Sequence, residues 1–167
     1  MKVQVKDIAY NAIIAALYVI LTLVTYNFSY GPIQFRIAEF LVLLCFFRKD
    51  YILGITLGTF ISNLFSSVSI FDILFGTAAT IIACIGVMFS KHLLVGILFP
   101  VLCNGFIIAW ELVLFVPSPT SYWYYFMTVA LGELAVMVVS YIAFLFLMRN
   151  QKFKQMIRAN QNVESKL

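Results

Sequence analysis

Arg36 and Glu39 stand three residues apart in Gln34-Phe35-Arg36-Ile37-Ala38-Glu39, placing a guanidinium and a carboxylate at the head of an apolar run. Asp72, Glu111 and Glu133 add three acids, and Asn63 and Asn104 two amides, each within or at the edge of another apolar run. A charge at mid-bilayer costs about 2.5–3.5 kcal/mol even on a lenient insertion scale, so such groups are expected to face one another or a watery cavity. One arginine cannot neutralise four carboxylates. At least two acids are left to be solvated, protonated or engaged by a ligand, and a single polar pocket for a small molecule is the economical reading. Asn63 would offer it paired donor and acceptor groups. Asn104 and Glu111 are seven residues apart, hence two turns apart on nearly one helical face, with Trp110 beside the acid.

Plainer readings of the same residues exist. Arg36 could pair with Glu39 or Glu133 only to hold helices together, Asp72 could be a helix cap, and Asn63 could bridge helices. Clustered acids could also bind a metal or relay protons. An enzyme is not indicated: the chain has no HExxH, GxSxG, Cys–His pairing or GxxxxGK[ST] loop. Cys45, Cys84 and Cys103 lie in apolar runs without CxxC spacing and read as packing residues, and His92 beside Lys91 reads as a loop residue.

The elements that carry these residues follow from composition. Of 167 residues, 63% are hydrophobic and 11% charged, whereas soluble domains are about 45–50% apolar and about 25% charged. The chain therefore reads as an all-α integral membrane protein. A bilayer core about 30 Å thick needs about 20 apolar residues per helical span. Ile8–Phe28, Tyr51–Val68, Phe71–Phe89, Leu93–Val116 and Tyr124–Met148 fit or nearly fit that length. Ile37–Phe47 is too short alone and becomes a sixth span only if it begins near Pro32 and lies against protein. Residues 1–148 are thus expected to be a six-helix transmembrane substrate-binding domain and 149–167 a polar cytoplasmic tail.

The formal charge of +4 does not point to nucleic acid, because the basic residues are segregated. Lys2, Lys6, Arg48, Lys49, Lys91 and Arg149, Lys152, Lys154, Arg158 and Lys166 fall at alternate ends of the spans, which by the positive-inside rule makes both termini cytoplasmic. Only Arg36 breaks the pattern, and it joins the acids in the outer half. Small residues mark close-packing faces: Ala9, Ala12 and Ala16 on the first span, and Gly54 and Gly58 on the third. Pro100 is expected to kink the fifth span. Tyr122-Trp123-Tyr124-Tyr125 reads as an interfacial aromatic belt or as a stacking wall for a flat ligand.

The run Gln34–Glu39, the Gly54, Gly58 and Asn63 segment, Asp72 with Phe75-Gly76-Thr77-Ala78-Ala79-Thr80, Pro100 with Asn104-Gly105, and Leu131-Gly132-Glu133-Leu134 together resemble the QueT family. These are the substrate-binding S components of energy-coupling factor (ECF) transporters, named for queuosine-precursor uptake. The resemblance covers about residues 6–148. It implies a cell-membrane subunit with an S-component-like six-helix bundle that captures a micronutrient outside. The chain itself would need no cofactor, since ATP and Mg would sit in partner subunits: a transmembrane coupling protein (T component) and two cytoplasmic ATPases. Ala9, Ala12 and Ala16 match the pattern that meets the coupling subunit. A 7-deazaguanine ligand would give Glu133 or Glu111 a ring N–H and an exocyclic amine to accept from, with Arg36, Asn63 or Asn104 meeting the ring carbonyl. Phe35, Trp110 or Trp123 would stack on its face. A corrinoid such as cobalamin (vitamin B12) is the rival within that class. A stand-alone proton-coupled carrier and a structural membrane adaptor are the alternatives outside it.

Overall fold

In hydrocarbon every backbone N–H and C=O must be satisfied within its own segment or a closed barrel, so long apolar runs fold as helices. The computed structural model describes residues 5–30, 34–117 and 119–157, which are mostly helical, with no strand among them. Four helices are long and apolar enough to cross a membrane: Val5–Val24, Asp72–Phe89, Leu93–Phe115 and Tyr122–Leu147. We number the α-helices α1 (Val5–Val24), α2 (Tyr26–Ser29), α3 (Leu44–Phe47), α4 (Ile52–Asn63), α5 (Asp72–Phe89), α6 (Leu93–Gly96), α7 (Leu98–Phe115), α8 (Tyr122–Leu147) and α9 (Gln151–Met156). The two remaining apolar segments are shorter, Ile37–Phe47 with 11 residues and α4 with 12.

The short segment lies at the centre. Ile37–Leu43 is a 3-10 helix that passes into α3, and it touches α1, α4, α5 and α8. Ala38, Val42, Leu43 and Cys45 are fully buried. The expected α-helical span taking in Arg36 is not what forms: Arg36 is extended at φ −89°, ψ 90°, and caps the 3-10 turn. The reason is reach. Seven residues at about 2.0 Å rise cover about 14 Å, against about 10.5 Å at the α rise of about 1.5 Å. Three residues per turn also align Ala38 with Leu41 and Glu39 with Val42, and all four are buried.

The other helices wrap this centre in the order α1, α4, α5, α7, α8, each packed on the next. The seam between α1 and α4 uses the glycines. A Cβ at Gly58 would stand 2.7 Å from Tyr18 Cβ and 3.0 Å from the Ala15 carbonyl oxygen, so only glycine permits this approach. One turn away, the Gly54 N–H donates to Asn11 Oδ1 at 2.7 Å. The small-residue face read from the sequence is thus a helix-packing face inside the fold.

Two boundaries differ from the sequence reading. The third apolar run leaves the α-helix at Asn63, not at Val68, because Leu64 and Phe65 tighten to i−3 bonds and the hydroxyls of Ser66 and Ser69 accept from Val68 N and Phe71 N. Where a kink at Pro100 is expected, the helix is instead interrupted one turn earlier, between Gly96 and Leu98. Proline has no N–H to donate to the carbonyl four residues back, here that of Gly96, so the α-helix restarts just before it.

At the end rich in lysine and arginine, Arg48 bonds both carboxylate oxygens of Asp50 and lies 3.6 Å from Asp7 on α1. The Asp50 hydrogen bonds raise the Arg48 guanidinium above its usual value. There too α9 folds back under the bundle. Tyr51 donates to the Ile157 carbonyl at 2.8 Å, and Phe153 meets Phe144 edge to face. The tail thus begins with a packed helix at 151–156, while 158–167 lies outside the described residues.

Candidate binding site

Glu39 has no exposed surface, because the 3-10 segment carries it into the middle of the bundle. Tyr18 on α1 donates to its Oε1 at 2.6 Å. Arg36, 4% exposed, stands 4.0 Å from the same oxygen and 3.9 Å from Asp72 Oδ2, and its guanidinium lies 5.4 Å from the centre of the Tyr30 ring. The partner that Arg36 gains beyond Glu39 is therefore Asp72, not Glu133. Tyr30 is itself fixed by donating to the Ser62 carbonyl at 2.7 Å.

Asp72 opens α5 fully buried, and Asn63 at the end of α4 donates to its carbonyl at 3.0 Å. Gly76, one turn further, leaves room for both. A Cβ there would stand 2.6 Å from Asn63 Nδ2 and 2.9 Å from Asp72 Oδ1. From α7, Glu111 comes beside Asp72 and Asn104 beside Glu133; Glu133 itself comes from α8 and is an electrostatic neighbour of Glu39. All three are buried. Four elements thus deliver four carboxyl groups to one place against one guanidinium.

The hydrogen bonding of this cluster is incomplete. Among the described residues, eleven buried side-chain nitrogen or oxygen atoms have no hydrogen-bond partner, and nine of them belong to Arg36, Glu39, Asn63, Asp72, Glu111 and Glu133. The other two are Thr77 and Thr80 hydroxyls on α5, the second beside Glu39. Native interiors leave few such atoms, since each costs about 1–3 kcal/mol. Donors and acceptors left open side by side are groups with which a polar molecule can hydrogen-bond. No group of three or more His, Cys, Asp or Glu suited to a metal ion occurs among the described residues.

Seven of the eight residues selected from the sequence are therefore brought together: Arg36, Glu39, Asn63, Asp72, Asn104, Glu111 and Glu133. Trp110 is not. It is 60% exposed and lines a shallow outer groove with Phe106 and Tyr122. Trp123 is equally outward at 65%, as a residue of an interfacial belt would be. Position 110 follows from the neighbouring acid, since successive helix residues lie about 100° apart and a buried Glu111 turns Trp110 away. Tyr18, Tyr30 and Thr80 were not selected. A tyrosine deep in an apolar span is the signal that could have found Tyr18, because a buried hydroxyl needs a partner.

The profile of the QueT transporter family matches residues 8–149. The chain belongs to that family. A relative named "Queuosine precursor transporter QueT", from Lactococcus lactis subsp. cremoris (strain MG1363), is 46% identical over 83 residues. That alignment covers 48% of this chain and 48% of the relative, so the chain matches about half the length of its curated relative. No solved structure matches. QueT family membership and four long apolar helices make the chain a multi-pass plasma-membrane protein, and the relative's name is a transporter's, not an enzyme's.

Proposed function

We propose that this chain is the substrate-capturing S component of an energy-coupling factor importer and that it binds a queuosine precursor of the 7-deazaguanine type at its outer side. The observation that carries the reading is the concentration of unpartnered buried polar atoms on the residues of one cluster. Acceptors dominate it, so the favoured ligand brings more donors than acceptors. A deazaguanine does so along the edge bearing a ring N–H and an exocyclic amine. Glu133 or Glu111 accepts from that edge, and Arg36, Asn63 or Asn104 donates to the ring carbonyl. The relative's name supports this substrate class.

The chain has no catalytic role in this reading. Energy comes from ATP and Mg bound by two cytoplasmic ATPases, coupled through a transmembrane T component. In this reading the chain has six spans with both termini cytoplasmic and the cluster on the outer side, the two spans beyond the four long helices being the shorter Ile37–Phe47 and α4. Ala9, Ala12 and Ala16 are all exposed on α1, opposite the buried Ile14, Ala15 and Tyr18, as residues that meet a coupling subunit would be.

Binding of deazaguanines and of cobalamin to the purified chain, read by thermal stabilisation, tests the ligand. Glu133→Gln and Glu111→Gln are expected each to weaken deazaguanine binding about ten-fold or more, the loss of a charge-assisted hydrogen bond. Unchanged binding in both would refute the assignment, and cobalamin binding without deazaguanine binding would replace the substrate. Ala12→Trp with Ala16→Trp is expected to abolish uptake while leaving ligand binding intact. Uptake that persists without ATPases and stops when the proton gradient collapses would make the chain a stand-alone carrier.

A further inference from the structure

Away from the polar cluster, an apolar groove of about 350 Å³ opens between α1, the central segment and α9. Ile13 and Leu17 line it from α1, Phe40 and Leu44 from the central segment, and Phe153 and Met156 from α9. Its position in the fold puts the wall at hydrocarbon depth and α9 at the end of the bundle where lysines and arginines collect. Two of the helices lining the groove carry an exposed lysine four residues before a lining residue: Lys6 before Tyr10 on α1, and Lys152 before Met156 on α9. Residues four apart share a helix face. At that end of the bundle Asp7 and Asp50 both pair with Arg48.

We infer that this groove is a binding site for an anionic phospholipid, with one acyl chain along Ile13, Leu17 and Phe40 and the headgroup between Lys6 and Lys152. Basic pockets between helices at a membrane surface hold anionic headgroups, each lysine contributing about a five-fold gain in affinity. The apolar wall sets the other half of the ligand, because a soluble anion would gain nothing from it. The chain's own sequence beyond Ile157, Arg158-Ala159-Asn160-Gln161-Asn162, is too polar to fill such a wall. The inference is independent of which micronutrient the polar cluster binds.

The test uses the full chain in nanodiscs of phosphatidylcholine containing a minor fraction of phosphatidylglycerol, with retained lipid read by native mass spectrometry. One phosphatidylglycerol is expected to be retained in preference to phosphatidylcholine. Lys6→Gln with Lys152→Gln is expected to reduce that preference roughly thirty-fold. Ile13→Trp, which narrows the groove without touching the lysines, is expected to lower retention of both lipids; if that variant does not melt as the wild type does in pure phosphatidylcholine, Leu17→Phe replaces it. Equal retention of the two lipids, or indifference to the lysine pair, would overturn the site. So would photocrosslinks from position 13 to a protein helix, a second copy or a partner, with none to lipid.

Discussion

Replacing Arg36 by methionine tests whether the cluster is held by its one cation. The guanidinium is 4% exposed and lies 4.0 Å from Glu39 and 3.9 Å from Asp72. At an effective dielectric constant of about 20, two unit charges at 4 Å attract by about 4 kcal/mol. Removing a buried arginine also removes its own desolvation penalty, which is several kcal/mol, and the balance of such deletions is a loss of about 3–5 kcal/mol. Methionine keeps much of the apolar stem, so packing changes little. For a chain of this size each kcal/mol moves the midpoint of melting by about 2–4 °C, which predicts a fall of about 6–20 °C. The assay is a heat step on detergent-purified protein followed by size-exclusion of the surviving fraction. Adding Asp72→Asn to Arg36→Met is expected to restore part of the loss by removing one stranded charge. A fall below about 3 °C, or a double variant less stable than Arg36→Met alone, would refute the account of Arg36 as the counter-ion that stabilises the bundle.

Tyr18→Phe removes a buried 2.6 Å hydrogen bond to Glu39 and is expected to cost about 1.5–3 kcal/mol, seen in the same melting assay. Gly58→Val forces a side chain where Tyr18 Cβ and the Ala15 carbonyl stand and is expected to cost about 1–3 kcal/mol or more, with α1 released from α4 and position 15 newly open to thiol labelling as Ala15→Cys. Trp110→Ala removes an outward ring and is expected to leave ligand affinity within about two-fold, measured by equilibrium binding. A ten-fold loss there would return Trp110 to the site.

The residues that read most clearly in the sequence are those whose cost in a membrane is high. Arg36, Glu39, Asp72, Glu111 and Glu133 are conspicuous in apolar runs because charge in hydrocarbon demands company, and their convergence follows from that demand. The glycines at 54 and 58 are legible for a similar reason, since absent side chains at helical spacing imply close approach. Elements governed by global geometry are less legible. Nothing local in Ile37–Leu43 favours a 3-10 helix over an α-helix; the tighter winding answers the length the centre must cover. The pairing of Arg36 with Asp72 depends on how α5 starts against that segment, and the sequence offered Glu39 and Glu133 equally. The tail, read only as polar, contributes Phe153 and Ile157 to the core because Tyr51 offers a hydroxyl to a passing carbonyl.

The central 3-10 segment gives the protein a mechanical coordinate. Rewinding Ile37–Leu43 into an α-helix would draw its ends together by about 3.5 Å, nearly the 4.0 Å that separates Arg36 from Glu39. The same motion would turn Glu39 out of line with Val42 and away from the Tyr18 hydroxyl. Length and side-chain pairing are therefore coupled in this element: a change in its winding would shift Glu39 relative to both Tyr18 and Arg36.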